Sequence, residues 1–178
     1  MKLCRIAELQ TEILHILGIF RRQNLIQFGL IRLAKNGTEK MMTEKSCGAV
    51  VFTKEKGKIR YLIVQSKQGI YGFPKGHVEK NETELQTALR EVLEETGLTV
   101  SPIPGFREEI SYSFSRGDGE IQKQVVFFLA QASEQTPKAQ ETEIDRIIYM
   151  DYETAVSSLQ YDDVKIVLTK ARDYLTAR

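Results

Sequence analysis

Glu91, Glu94 and Glu95 stand at i, i+3 and i+4 within the run GHVEKNETELQTALREVLEETGL, residues 76–98. At roughly 100° per residue, a helix would gather these three carboxylates within an arc of about 100°. Like charges at that spacing repel and weaken a helix. Hard divalent cations relieve the repulsion, because Mg²⁺ and Mn²⁺ favour carboxylate oxygen and bridge to substrate phosphates. Arg90 lies four residues before Glu94 and is placed to orient it. The bland alternative is a solvated acidic face on a surface helix.

The helix that must carry these acids is expected from about Glu82 to Thr96. Asn81 suits the N-cap, with Glu84 three positions on as in a capping box. Leu85, Leu89, Val92 and Leu93 form an apolar stripe away from the acids, and Gly97 supplies the stop. Around this helix the pattern predicts strands. Cys47–Thr53 and Ile59–Ser66 flank Lys54-Glu55-Lys56-Gly57 as a hairpin. Phe106–Ser115 and Ile121–Ala132 flank residues 116–120, a second hairpin with Asp-Gly turn chemistry. Ile144–Met150 is a further strand. Asp151 is placed to cap a helix reaching about Leu159, and Asp162 or Asp163 a last helix reaching Thr176. Strands and helices interleave irregularly, so a mixed sheet between helices is expected, of α+β class.

The run 76–98 matches, without gap or substitution, the Nudix box G-x5-E-x7-R-E-U-x-E-E-x-G-U, where U is bulky and aliphatic. Gly76, Glu82, Arg90, Glu91, Val92, Glu94, Glu95, Gly97 and Leu98 fill its fixed positions. From about Ser46 onward the chain resembles Nudix hydrolases, which implies an α/β/α sandwich whose box holds catalytic metals, Mg²⁺ or Mn²⁺. The resemblance makes Glu91, Glu94 and Glu95 metal ligands together with the main-chain carbonyl of Gly76. It makes Arg90 and Glu82 the pair that braces the loop. Bound metal would neutralise a diphosphate and lower the pKa of a water that attacks phosphorus. The family varies in its general base. Glu91 matches one usage, and Glu143, just ahead of a strand, is the candidate for a distal one and for a further metal ligand; that choice stays open.

The flanks carry a narrower likeness. Tyr71-Gly72-Phe73-Pro74-Lys75-Gly76-His77-Val78-Glu79 resembles the entry to the box in asymmetrical diadenosine tetraphosphate hydrolases. Gly105–Tyr112 and Lys123 ahead of Val125–Ala130 resemble the same group. That likeness implies Tyr112 stacking on a nucleobase, with Lys75, Lys123 and His77 near the polyphosphate. Physically, an aromatic face stacks on any base, and a long polyphosphate needs ammonium groups beyond the metals. Tyr71 stands where many relatives carry tryptophan, and this chain has none. The expected reaction is diadenosine tetraphosphate to ATP and AMP. The alternatives are cleavage of ADP-ribose, removal of pyrophosphate from RNA 5′ ends, or a non-catalytic nucleotide sensor.

At 178 residues with 42% hydrophobic and 28% charged, the chain suits one soluble domain with a short appendage. Residues 1–40 hold seven Lys/Arg against three Glu, a net of +4, leaving −3 for the rest. That acidic balance argues against nucleic acid as partner and for a small nucleotide met by metal ions. Cys4 and Cys47 show no disulfide or zinc spacing, which fits a reducing cytoplasm. No apolar run is long enough to span a bilayer. The division expected is 1–41, an extension with Ile6, Leu9, Ile13, Leu17 and Phe20 at helical spacing, and 42–178, the catalytic domain. A start of translation at Met41 or Met42 is the rival account of the extension.

Overall fold

Lys56 and Gly57 both take positive φ, 48° and 78°, the two-residue geometry whose twist matches that of a right-handed hairpin. They join β1 (Met42–Glu55) to β2 (Lys58–Ser66) in antiparallel register, Glu55 opposite Lys58. The computed structural model describes residues 42–178 except 118 and 134. The expected extension, its helix and the Asp118 turn residue therefore lie outside the described residues.

β5 (Val100–Arg116) and β6 (Gly119–Ala132) form the second hairpin, and β6 runs parallel to β1 from Met42 opposite Ile121 to Phe52 opposite Gln131. Two short strands, β3 (Tyr71–Gly72) and β4 (Lys75–His77), were not expected from the sequence. They pair with β2 and β1 respectively, while β7 (Ile144–Met150) pairs with the other edge of β2. The result is a seven-stranded mixed sheet with the order β3-β2-β1-β6-β5, β4 and β7 lying off that path.

Alternation along β1 separates two cores, since successive side chains point to opposite faces. Val50 and Phe52 pack with Phe127, Leu129, Leu168 and Ala171 beneath α2 (Tyr152–Ser158) and α3 (Asp162–Thr176). Ala49 and Val51 pack with Val92 and Leu98 beneath α1 (Glu84–Thr96). Helices thus cover both faces of the sheet, the α/β/α sandwich that was expected.

Three local expectations are corrected. α1 is capped by Thr83, whose hydroxyl accepts from Gln86 N–H while Gln86 accepts from the Thr83 backbone. Asn81 instead takes φ 71°, a left-handed turn residue, and Glu82 is left outside the helix. The expected apolar stripe holds only in part: Val92 is buried and Leu85 and Leu89 are half-buried, but Leu93 is 51% exposed, and the buried face includes Thr87, Ala88, Glu95 and Thr96. Small residues let the helix approach the sheet on that side. Finally, Tyr161, not an aspartate, occupies the N-cap of α3, without a side-chain cap bond. Asp151 does cap α2, accepting from Thr154 N–H at 2.9 Å.

Candidate active site

β1 leaves β2 beyond Val51 and takes β4 as partner over Ser46–Gly48. The loop from β4 to α1 fills the opening. Close approach fixes two glycines there. A Cβ on Gly48 would overlap the Pro74 carbonyl, and one on Gly76 would overlap the Glu91 carboxylate. Gly76 thus lies against the acid that a metal-bound loop would share with it.

Arg90 ties the loop to the helix. Its Nε donates to Glu82 Oε1 at 2.7 Å, and its NH2 donates to Glu82 Oε2 and to the His77 carbonyl, both at 3.0 Å. Its NH1 donates to Glu91 at 2.8 Å and Glu94 at 2.9 Å. Glu82 also accepts from Thr87 Oγ1 and from Glu79 N–H. The Arg90 bonds, with Thr87 second, hold the Glu82 carboxyl down to about 2. Glu84, expected in a capping box, instead binds Arg107 at 2.7 Å and Lys45 at 2.6 Å, fastening the start of α1 to β5 and β1.

The three helix acids sit in different surroundings. Glu94 is half exposed, and Glu91 is largely buried, its carboxyl raised above the ordinary value by burial. Glu95 is 7% exposed. Burial pushes its carboxyl up to about 7, against the favourable charge and backbone N–H of Lys75. Its Oε2 has no hydrogen-bond partner, although buried polar atoms are normally satisfied. The charge of Glu143 raises both Glu91 and Glu95, so the fold brings this acid of the β7 approach to the helix. It is steered there by Gln140 N–H and Lys138 N–H, which donate to the Glu95 and Thr96 carbonyls.

An orphaned buried carboxylate oxygen beside a second buried acid fits a hard divalent ion, whose ligands are oxygens. Among the described residues no three acids, histidines or cysteines are already drawn into a metal cage. The reason is visible: Arg90 occupies Glu91 and Glu94.

A second wall rises on the sheet face that carries α2 and α3. Glu44, Lys123 and Tyr112 are cross-strand neighbours on β1, β6 and β5. Tyr112 is 44% exposed. Partial burial, then the neighbouring Tyr161 and Glu44, push its phenol up. Tyr161 is likewise exposed and near enough to act on the Tyr112 phenol, although the two come from distant segments. Lys123 is largely buried, and its ammonium is lowered by that burial and by Lys75 and Arg116. His77 is exposed, with Nε2 3.4 Å from Glu44. Tyr71 is half-buried and packs against the core beneath α2 and α3, its backbone N–H donating to Gln160. The sequence pointed to neither Tyr161 nor Glu44. An exposed aromatic ahead of Asp162-Asp163 was the one signal for Tyr161, and Glu44 had none.

Comparison with known proteins agrees with this geometry. The NUDIX domain family model matches residues 42–170. The asymmetrical bis(5′-nucleosyl)-tetraphosphatase of Sus scrofa is 31% identical over 146 residues, spanning 75% of this chain and 97% of that protein. The crystal structure of a Caenorhabditis elegans Ap4A hydrolase binary complex superposes with TM-score 0.69 at 26% identity, covering 76% of this chain and 99% of that one. The NUDIX domain of Shewanella oneidensis NrtR, solved with ADP ribose, shares the fold with TM-score 0.59 at 21% identity, over 75% and 88% of the two chains.

Proposed function

The chain belongs to the Nudix family of pyrophosphohydrolases, and on that premise we propose that it hydrolyses diadenosine tetraphosphate to ATP and AMP. The observation that carries this reading is that Lys75 acts both on the buried Glu95 of α1 and on Lys123 of the aromatic and cationic wall, which links the two. The helix suits metal ions on a diphosphate, and the wall suits a base and further phosphates. Relatives named for this activity support it.

In this reading Glu91, Glu94 and Glu95, with the Gly76 carbonyl and Glu143, hold Mg²⁺ or Mn²⁺. When bound, the ions would neutralise phosphate oxygens and lower the pKa of the attacking water, so that it gives up a proton readily. Arg90 keeps Glu91 and Glu94 on one side of α1, and Glu82 keeps Arg90 in place. Water adds to phosphorus as the anhydride P–O bond breaks, without a covalent enzyme intermediate. The water proton passes to a carboxylate oxygen of Glu91 or Glu143. The second phosphate product leaves with its own oxygen. Lys75 lies beside Glu95 and is placed to meet phosphate oxygens there. Tyr112 and Tyr161 take a nucleobase between them, and Lys123 and His77 take phosphates between base and metals. Tyr71, packed against the core, shapes the loop more than it stacks.

No helix among the described residues is long and apolar enough to cross a membrane. Cys47 is a free buried thiol, pushed up by burial to about 11, which suits a reducing cytoplasm and an inert role. Residues 1–41 form an extension to the catalytic domain at 42–178.

The deciding experiment incubates the purified chain and Mg²⁺ with diadenosine tetraphosphate, ADP-ribose and 5′-triphosphorylated RNA, resolving products by chromatography. Equal amounts of ATP and AMP are expected from the first. Turnover of ADP-ribose or RNA alone would replace the substrate. Nucleotide retention with no turnover would leave a sensor.

A further inference from the structure

Glu44 is one carboxylate shared by three basic groups. It accepts from Arg116 NH1 at 2.7 Å, with His77 Nε2 at 3.4 Å and Lys123 Nζ at 3.7 Å, and its side chain is only 16% exposed. The cluster thus carries more positive than negative charge. Lys123 is largely buried, with the like charges of Lys75 and Arg116 acting on it. Its counter-charge is Glu44, which it shares with the closer Arg116, so the two cations outnumber the one carboxylate and an anion would supply the difference.

Arg116 comes from the tip of the β5–β6 hairpin. Tyr112, Phe114 and Arg116 alternate along β5 and so share one face of the sheet. The Tyr112 and Phe114 ring centroids are 6.2 Å apart, and the Arg116 guanidinium lies 5.3 Å above the Phe114 ring. Glu44 pulls NH1 back across the sheet toward Lys123, and the Phe114 ring supports the guanidinium plane. A guanidinium is a planar fork of five N–H donors matched to phosphate, and Glu44 takes one nitrogen of it. The strand therefore runs from an aromatic surface to a pre-set cation without leaving the face on which Lys123 sits.

We propose that Arg116, held by Glu44 and Phe114, is a specificity-determining residue that binds the phosphate chain beyond the diphosphate engaged at α1. The chain then selects dinucleoside polyphosphates with four or more phosphates over shorter ones. This rests on the reading of the substrate as a dinucleoside polyphosphate. Arg116 touches none of the helix acids, so it acts on binding and not on bond cleavage.

The test uses the full chain with Mg²⁺ and dinucleoside polyphosphates of three, four and five phosphates. One charge-assisted contact to phosphate, partly exposed, is worth about tenfold in affinity. R116Q should raise KM for the tetra- and pentaphosphate about tenfold, leave kcat within about twofold, and leave KM for the triphosphate nearly unchanged. R116K should recover part of the loss, and the gap between wild type and R116Q should close as salt rises. Equal KM values for wild type and R116Q across the series overturn the inference alone. A wild type that hydrolyses no dinucleoside polyphosphate overturns the substrate reading, and the inference with it. Arg116 is exposed, so R116Q is expected to melt with the wild type; should it not, the wild-type KM must rise more steeply with salt for the tetraphosphate than for the triphosphate, and equal salt dependence overturns the inference.

Discussion

Replacing Glu95 with glutamine should abolish turnover and yet stabilise the metal-free protein at pH 8. The folded carboxyl is pushed by burial from 4.5 up to about 7. Between those values the folded state binds more protons than the unfolded state, so stability falls as pH rises through the window and is flat above it. The shift corresponds to roughly 3 kcal/mol. For a chain of this length that is about 6–12 °C in melting temperature. Glu91 shifts in the same direction, also from burial. Glu82 and Glu84 are held down to about 2 and so lose stability only below 4.5, outside this window. The assay is thermal melting in EDTA from pH 4.5 to 8.5, for wild type and Glu95→Gln. Wild type should lose stability across the range, and the variant should lose much less. Added Mg²⁺ should restore wild type at pH 8 and do little for the variant, because ligand binding stabilises only the form that binds. Superimposable pH profiles for the two proteins in EDTA would refute the argument.

Other expectations follow from the same site. Arg90→Ala leaves Glu82, Glu91 and Glu94 without their shared cation; urea unfolding should show a loss of about 2–3 kcal/mol, the partly buried pair lying at the low end for a broken buried ion pair. Gly76→Ala drives a methyl into the Glu91 carboxylate and should cost roughly 1–3 kcal/mol of stability by overpacking, with kcat falling in steady-state assays. Tyr161→Ala should raise KM for diadenosine tetraphosphate about tenfold with kcat nearly constant, as base stacking is worth roughly 1–3 kcal/mol; an unchanged KM removes Tyr161 from binding. Glu143→Gln and Glu91→Gln, compared in kcat against pH, separate the two candidate bases: the true base loses its acidic limb.

Much of the fold was legible because strand patterning is local. β7 was bounded from its sequence to the residue, and the Lys56-Gly57 turn followed from turn chemistry. Helix α1 was located correctly, but its cap was not, since Asn81 and Thr83 are both good capping residues and only the left-handed turn at Asn81 separates them. Its buried face was judged only in part, Val92 being buried as expected, because an apolar stripe weighs side-chain size and close packing also selected Ala88 and Thr96 while leaving Leu93 exposed. Burial of Glu95 runs against hydropathy altogether, and no pattern announces it. Tyr161 and Glu44 reach the site from distant segments through the sheet and α3. Only the assembled topology puts Tyr161 beside Tyr112 or Glu44 beside Arg116.

The central claim is that α1 gathers acids for divalent ions on a phosphoanhydride. Titrating Mn²⁺ into the purified chain, with and without nucleotide, and following free Mn²⁺ by electron paramagnetic resonance tests it directly. The account predicts saturable uptake by wild type that is strengthened by nucleotide and lost in Glu95→Gln. Equal uptake by both proteins, or none by wild type with nucleotide present, would contradict it.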